Sequence, residues 1–283
     1  MKRMFCMLFS FAALFTIAIS ASAMMNIHTR DGQVIQVPVN KKDILRITYD
    51  DGGDPPQGAG AGAWVVNDAG NIYNRTGNSW RQMPGLAKDI GVGADGSVWV
   101  IGHDREPGGF GIHRWNGSNW NKIDGGAVRI AMAPNGSPWV VNEAGNIYSR
   151  SGNVWQKMPG LAMDIGVGAD GSVWVIGHDR EPGGFGIHRW NGSNWNKIEG
   201  GAVRIAVAPN GTPWVVNEAG NIYSRSGNAW QKMPGLAKDI GVGADGSVWV
   251  IGHDREPGGF GIHRWNGNNW NKIDGGALEI SVR

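Results

Sequence analysis

The sequence predicts an all-β fold, and three observations lead to this prediction. A 75-residue unit occurs three times, as the segment GVGADGSVWVIG shows at Gly91, Gly166 and Gly241. Short apolar runs alternate with turn sequences such as Ala-Asp-Gly and Pro-Asn-Gly, and no stretch has a sustained apolar period of ~3.6 residues. The 47 Gly and 15 Trp residues agree with this, because such a composition favours turns and strands over helices.

Each 75-residue repeat contains a shorter and a longer unit, since six matching tryptophans are spaced alternately by 35 and 40 residues. They are Trp64, Trp99, Trp139, Trp174, Trp214 and Trp249. Each unit has the pattern of four short strands separated by turns. Six four-stranded units predict a six-bladed β-propeller made of three tandem double-blade repeats.

The ends of the repeat region predict how the ring closes. The first unit lacks its opening strand, because Gly58-Ala59-Gly60-Ala61 stands where the other short units have Ala-Pro-Asn-Gly. Residues Ala277–Arg283 supply one surplus opening strand. We expect this C-terminal strand to enter the first blade and close the ring, which leaves no exposed sheet edge.

The N-terminal residues divide into three predicted segments. Residues 1–23 have two early positive charges, an apolar run and an Ala-Ser-Ala ending, which is typical of a signal peptide. Residues 24–50 form a small β-segment with a hairpin signal at Asp31-Gly32, 51–61 a Gly/Pro-rich linker, and 62–283 the propeller. We expect a secreted, periplasmic or cell-surface protein without a transmembrane segment.

Charge and cysteine content exclude several functions for the mature chain. Removal of residues 1–23 takes away Lys2, Arg3 and Cys6, which leaves 24 basic and 24 acidic residues and no cysteine. The remaining basic residues are interleaved with acids, so the sequence predicts no nucleic-acid partner. A disulfide and a thiolate nucleophile are also excluded.

The motif HDREPGGFGIHRW begins at His103, His178 and His253, and it accounts for the greater length of the long units. We expect its first part to be a loop between the second and third strands, so that all three copies project from one face. Its polar and aromatic side chains are the candidate ligand-binding residues: His103, Asp104, Arg105, Glu106, Phe110, His113, Trp115, His178, Asp179, Arg180, Glu181, Phe185, His188, Trp190, His253, Asp254, Arg255, Glu256, Phe260, His263 and Trp265.

A catalytic interpretation of this motif would require one cleft that holds an acid and a base at different pKa values. Threefold repetition of every titratable cluster argues against such a site. The His-Asp-x-Glu spacing, with a second His ten residues later, matches no standard metal site. We therefore predict no catalytic residues, no metal and no cofactor.

A binding site places fewer demands on the geometry and protonation of these residues than a catalytic site does. Sugars place C–H faces on aromatic rings, and their hydroxyl groups pair with Asp, Glu and Arg. The alternative is structural: Asp104, Arg105 and Glu106 would pair with one another or cap the loop.

For the tryptophans the structural interpretation is favoured at Trp99, Trp139 and Trp174 and stays open at Trp115 and Trp120. Three tyrosines are expected between blades: Tyr73, Tyr148 and Tyr223.

The three repeats differ mainly in their short units. From Asp89 to Gly117 all three copies are identical, whereas Asp68 corresponds to Glu143 and Lys88 to Met163. This distribution favours a shared role for the long units.

With GVGADGSVWVIG, IAMAPNGSPWVV, IAVAPNGTPWVV and the later W-x-K-M-P-G or W-N-K-I of each unit, residues 62–283 resemble the tectonin family of β-propeller lectins. The resemblance implies a non-enzymatic protein that binds surface glycans or lipopolysaccharide, here through three equivalent sites. Some members of the family are similar to protein-binding scaffolds, so a scaffold for protein partners is the alternative.

Overall fold

The computed structural model describes residues 62–283, together with the backbone of two strands at 23–28 and 34–39. The chain divides into two compact units, Met1–Asp54 and Pro55–Arg283. Within the described residues, no helix is long and apolar enough to cross a membrane.

The first unit contains a two-stranded antiparallel sheet. Strand β1 (Ala23–His28) pairs with β2 (Val34–Val39), with Ala23 opposite Val39 and His28 opposite Val34. The predicted turn at Asp31-Gly32, residues 1–22 of the expected signal peptide and the predicted linker 51–61 lie outside the described residues.

The second unit is a six-bladed β-propeller, as predicted. Blade 1 contains β3 (Ala63–Val66), β4 (Asn71–Thr76) and β5 (Ser79–Leu86). Blade 2 contains β6 (Asp89–Val92), β7 (Val98–Glu106), β8 (Gly109–Trp115) and β9 (Trp120–Ala127). Blade 3 contains β10 (Arg129–Met132), β11 (Pro138–Val141), β12 (Asn146–Ser151) and β13 (Val154–Leu161). Blade 4 contains β14 (Asp164–Val167), β15 (Val173–Glu181), β16 (Gly184–Trp190) and β17 (Trp195–Ala202). Blade 5 contains β18 (Arg204–Val207), β19 (Pro213–Val216), β20 (Asn221–Ser226) and β21 (Ala229–Leu236). Blade 6 contains β22 (Asp239–Val242), β23 (Val248–Glu256), β24 (Gly259–Trp265) and β25 (Trp270–Ala277).

A last strand, β26 (Glu279–Val282), completes blade 1. It pairs antiparallel with β3, with Glu279 opposite Val66 and Val282 opposite Ala63. The predicted closure of the ring by the C-terminal strand is therefore confirmed.

Apolar side chains pack between neighbouring blades. One buried cluster joins Trp64 and Ile72 of blade 1 to Ile90 and Val98 of blade 2, and each of these side chains is at most 3% exposed. Burial of one such side chain stabilises the fold by ~1.5–3 kcal/mol. The three tyrosines expected between blades pack against clusters of this kind, at Tyr73, Tyr148 and Tyr223.

The tryptophans of the second strands differ in how deeply they are buried. Trp99 and Trp174 of the long blades are buried, as expected, whereas Trp139 of a short blade is only partly buried. The innermost strands leave little room for side chains, since a Cβ atom on Gly91 would lie 3.1 Å from Met132 Cγ. This explains the alternation of glycine with branched residues.

Each outer strand carries a tryptophan whose indole N–H donates a hydrogen bond to a backbone carbonyl of the preceding blade. The N···O distances are 2.6–2.7 Å. The six pairs are Trp80–Asp274, Trp120–Pro84, Trp155–Asp124, Trp195–Pro159, Trp230–Glu199 and Trp270–Pro234.

Candidate functional site

In the long blades, the second and third strands extend into a hairpin that the short blades lack. In blade 2, Arg105 pairs with Phe110 and Glu106 with Gly109, after a register shift that follows Ile101. The segment His103–Glu106, expected in a loop, is therefore the end of strand β7. Gly109 has φ +142°, and a Cβ atom there would lie 2.6 Å from the carbonyl oxygen of Ala127, so the turn requires glycine.

The first histidine of each hairpin contacts the preceding blade. Nε2 of His103 lies 3.1 Å from the carbonyl oxygen of Ala87, which accepts a hydrogen bond from it. A Cβ atom on Gly70 would lie 2.7 Å from the same Nε2. His178 and His253 make the equivalent contacts with Ala162 and Ala237 at 3.2 Å. These histidines hold the hairpins in place.

The carboxylate of Asp104 lies at the centre of a hydrogen-bond network on the hairpin. Its Oδ1 is 2.9 Å from His113 Nε2, and its Oδ2 is 3.0 Å from Lys122 Nζ. Lys122 also binds Glu106. A Cβ atom on Gly111 would lie 2.2 Å from Asp104 Oδ2, so a glycine in β8 makes room for the carboxylate.

These contacts change the acidity of the carboxylate. Partial burial raises the pKa of Asp104, but hydrogen bonds from His113 and Lys122 outweigh it and lower the pKa to about 2. The same network recurs around Asp179 and Asp254, with His188, Lys197 and Glu181 and with His263, Lys272 and Glu256. Three of the seven predicted site residues in each copy thus pair within their own blade, and their lysine partners on the fourth strand were missed by sequence analysis.

A partly buried aromatic ring on the hairpin is flanked by two cations. The guanidinium carbon of Arg105 lies 4.3 Å from the ring centre of Phe110, and Lys88 Nζ lies 4.4 Å from it. Nη1 of Arg105 is 3.1 Å from both carboxylate oxygens of Glu143, which belongs to the next blade. The side chains of Arg105 and Glu143 are 63% and 58% exposed, so this pair is accessible to solvent.

The blade 2–3, 4–5 and 6–1 interfaces repeat this arrangement with differences. At the 4–5 interface Arg180 pairs with Glu218, but Met163 replaces the lysine. At the 6–1 interface Arg255 and Lys238 surround Phe260 at 4.2 and 4.4 Å, and Asp68 replaces the glutamate. The three predicted sites therefore share a backbone and an aromatic ring but differ in charge pairing.

Trp115 lies apart from the rest of the predicted site. It ends strand β8, five residues from Phe110, which separates the two by roughly 16 Å along the strand. Its ring packs against that of Trp120, with the ring centres 4.9 Å apart. Trp190 and Trp265 pack in the same way against Trp195 and Trp270. These tryptophans belong to the packing between blades at the opposite ends of the strands.

A cavity of about 250 Å³ lies at the blade 6–1 interface. It is lined by the rings of Tyr73 and Trp80, the side chain of Asn67 and the hairpin turn Pro257-Gly258. Aromatic rings beside a polar amide suit a ligand with both apolar faces and hydroxyl groups.

A second charged group, which sequence analysis missed, surrounds the propeller axis. The first residue of every innermost strand is charged: Asp89, Arg129, Asp164, Arg204, Asp239 and Glu279. Arg129 Nη1 lies 3.2 Å from Glu279 Oε1, and Arg204 Nε lies 3.4 Å from Asp239 Oδ1. The recurrence of a charge at this one position in all six units was the available signal.

Burial raises the pKa of Asp89 to about 7, although the charge of Arg129 opposes this. Burial also raises the pKa values of Asp164 and Asp239. Oδ2 of Asp89 accepts a hydrogen bond from the backbone N–H of Ile130 at 2.8 Å, so the carboxyl group joins neighbouring blades. In the described part of the chain, no group of three or more His, Asp or Glu residues is placed to hold a metal ion.

Comparisons with known proteins agree with this architecture. A family model described as the Tectonin domain matches residues 57–136, 126–214 and 202–282. Tectonin-2 of Physarum polycephalum is 42% identical over 43 residues, covering 15% of this chain and 12% of that protein. Tectonin-1 of the same organism is 43% identical over 47 residues, covering 16% and 22%. The chain thus spans less than a quarter of the length of these relatives.

The chain is similar to solved structures at low sequence identity. A crystal structure of a protein of unknown function from Bacteroides caccae has a TM-score of 0.53 at 13% identity, covering 78% of this chain and 98% of that one. A structure of YCF48 bound to a D1 peptide has a TM-score of 0.47 at 15% identity, covering 78% of each chain.

Proposed function

The chain belongs to the tectonin family, and we propose that it is an exported, non-enzymatic lectin that binds surface glycans or lipopolysaccharide. Its binding sites are the three interfaces between a long blade and the following short blade. The observation that carries this proposal is the cavity at the blade 6–1 interface, where Tyr73 and Trp80 lie under the hairpin turn.

Several features of these interfaces support carbohydrate as the ligand. Aromatic rings offer stacking surfaces to the C–H faces of sugars. The exposed cations around Phe110 and its equivalents can donate hydrogen bonds to hydroxyl oxygens. Three interfaces on one face can engage a surface coated with glycans, and linked binding can exceed the affinity of one site by roughly 100-fold.

A binding role also fits the titratable groups of the hairpins better than a catalytic one. Asp104 is already paired with His113 and Lys122, and its pKa is lowered to about 2. A general acid or base near neutral pH requires a pKa close to the working pH.

A glycan array with one triple variant and one double variant as its control tests this proposal. Replacing Arg105, Arg180 and Arg255 by alanine removes the exposed cation at each interface; we expect at least a tenfold loss of glycan binding with an unchanged fold. The control replaces Lys157 and Lys232, which are exposed on β13 and β21, and should bind as the parent does. An array on which the parent binds no glycan, together with a protein partner recovered by pull-down, would support a protein scaffold instead.

Export is proposed from the signal-peptide pattern of residues 1–23. Mass spectrometry of protein recovered outside the cytoplasm should find a chain that begins at Met24. Recovery there of a chain that still begins at Met1 would contradict cleavage.

A further inference from the structure

We propose that Arg255, Lys238 and Phe260, at the blade 6–1 interface, form a subsite for an anionic group of the ligand, a carboxylate or a phosphate. That the ligand is a sugar rests on the proposed lectin function. The capture of the anion itself follows from the differences among the three interfaces.

At two interfaces the arginine already has a carboxylate partner. Arg105 Nη1 lies 3.1 Å from both oxygens of Glu143, and two nitrogens of Arg180 lie 3.3 Å from the oxygens of Glu218. An external anion would have to displace these glutamates before it could use the planar donor pattern of the guanidinium group.

At the blade 6–1 interface the residue in the same backbone position is Asp68. Its N–H donates to the carbonyl oxygen of Gly258 at 2.9 Å, as the N–H of Glu143 donates to Gly108 at 2.8 Å. The backbones therefore correspond, and the side chain is shorter by one methylene group. In the described part of the chain, Arg255 has no carboxylate within 4.0 Å.

A second cation and an aromatic surface accompany Arg255. Its guanidinium carbon lies 4.2 Å from the ring centre of Phe260, and Lys238 Nζ lies 4.4 Å from the same centre. Both cations are attracted to the face of an aromatic ring, so this one ring keeps two positive charges at the interface. An anionic group beside this interface would be attracted by both positive charges and could accept hydrogen bonds from the guanidinium group of Arg255.

The other interfaces contain matched controls for each part of the subsite. The blade 2–3 interface has the lysine, Lys88, but its arginine is occupied by Glu143. At the blade 4–5 interface the arginine is occupied by Glu218, and the lysine position holds Met163, which is 43% exposed. A one-methylene change can therefore open or close an anion site without altering the cations.

The test is an NMR titration of the parent chain with glucose, glucuronate and glucose 6-phosphate, which separates neutral, carboxylate and phosphate ligands. We expect the two anionic sugars to bind at one site and to perturb the side-chain N–H signals of Arg255. Both should bind at least tenfold more tightly than glucose, and added salt should weaken them. Binding of all three sugars with equal affinity would overturn the proposal.

Single-methylene variants then test the mechanism. Asp68→Glu should create the ion pair and weaken anion binding at least tenfold. Glu143→Asp should free Arg105 beside Lys88 and open a second site, raising the stoichiometry from one to two. Glu218→Asp should open a much weaker site, because the blade 4–5 interface has Met163 in place of the lysine. Unchanged anion binding in Asp68→Glu, with its fold intact by NMR, would overturn the proposal.

The outcomes distinguish this inference from the lectin proposal. If glycans bind on the array and Asp68→Glu leaves the affinity for anionic sugars unchanged, the lectin stands and the anion subsite falls. If free glucuronate or glucose 6-phosphate binds at Arg255 but the array is negative, the anion subsite stands and the lectin falls.

Discussion

The indole nitrogen of Trp80 donates a hydrogen bond to the backbone carbonyl oxygen of Asp274, 2.6 Å away, and so joins the outer strands of the first and sixth blades. Trp80→Phe keeps an aromatic ring but removes the donor. We expect the free energy of unfolding to fall by about 1 kcal/mol, the usual net contribution of one hydrogen bond. Denaturation in urea measures it.

Trp155→Phe is the matched control, because Trp155 makes the same bond to Asp124 within the ring. Equal losses would mean that the closing interface is as well formed as an internal one. A Trp80→Phe variant with the parent's stability would contradict the role given to this bond.

Deletion of Ala277–Arg283 should collapse the thermal stability of the propeller. The deletion removes β26, which leaves β3 without its partner, and it removes the buried side chains of Ile280 and Val282. Ile280→Ala is a milder variant, expected to cost about 2–4 kcal/mol. Calorimetry measures both, and a truncated chain that melts with the parent would contradict closure by this strand.

Stability should fall as the pH rises from about 4 through about 7, because burial raises the pKa of Asp89 to about 7. The folded chain holds this proton more tightly than the unfolded chain, whose aspartates have a pKa of about 4. The stabilisation is therefore fully present below pH ~4 and is lost as the pH rises through about 7. Asp89→Asn keeps an oxygen that can accept the hydrogen bond from Ile130, and it should make this decline less steep between pH 5 and 8.

Urea denaturation at several pH values checks this expectation. Asp274→Asn serves as the control, because Asp274 is exposed and should leave the slope unchanged. An Asp89→Asn variant whose stability declines with pH as steeply as the parent's would show that Asp89 does not hold the proton.

Gly145→Ala should destabilise the propeller more than Gly152→Ala. Both glycines have positive φ, +80° and +57°, so alanine at either position costs roughly 1–2 kcal/mol of backbone strain. At Gly145 the new Cβ would also lie 2.6 Å from His178 Nε2, whereas nothing lies within 4 Å at Gly152. Chemical denaturation should show the difference, and adding His178→Ala should reduce it. Equal costs at the two positions would rule out a close contact with the histidine.

The carboxyl group of Asp104 should titrate near pH 2 when followed by carbon-13 NMR, because hydrogen bonds from His113 and Lys122 outweigh partial burial. Its stabilising contribution is present above pH ~4 and is lost as the pH falls through about 2; it is small, because the group is 40% exposed. Lys122→Met should raise this pKa, and Lys157→Met, far from the hairpin in sequence, should not. An unchanged pKa in Lys122→Met would contradict the network.

The blade count and the closure of the ring could be predicted because they follow from periodic features, such as the spacing of Trp64 and Trp99 and the surplus strand at Ala277–Arg283. The strand at His103–Glu106 could not, because these residue types are poor strand formers. The extended conformation is accommodated here because Gly111, on the neighbouring strand, leaves room for the carboxylate of Asp104. The contact of Arg105 with Glu143 was also hidden, because it depends on how far one blade's turn reaches toward the next.

The separation of Trp115 from the hairpin shows why closeness in sequence did not predict the site correctly. Proximity in sequence suggested one site, but along an extended strand five residues reach from one face of the propeller to the other. The charges around the axis were overlooked because each is a single residue in its unit, such as Asp89, and only the ring brings the six together.

The pairing of Val66 with Glu279 has a consequence for the order of folding. Blades 2 to 6 are each built from four consecutive strands, so their contacts are local and can form quickly. Blade 1 must wait for a strand from the far end of the repeat region, and this step carries the largest loop-closure entropy. We therefore expect the ring to close only once β26 is available, so that blade 1, whose other three strands come first in the propeller, is the last blade to be completed.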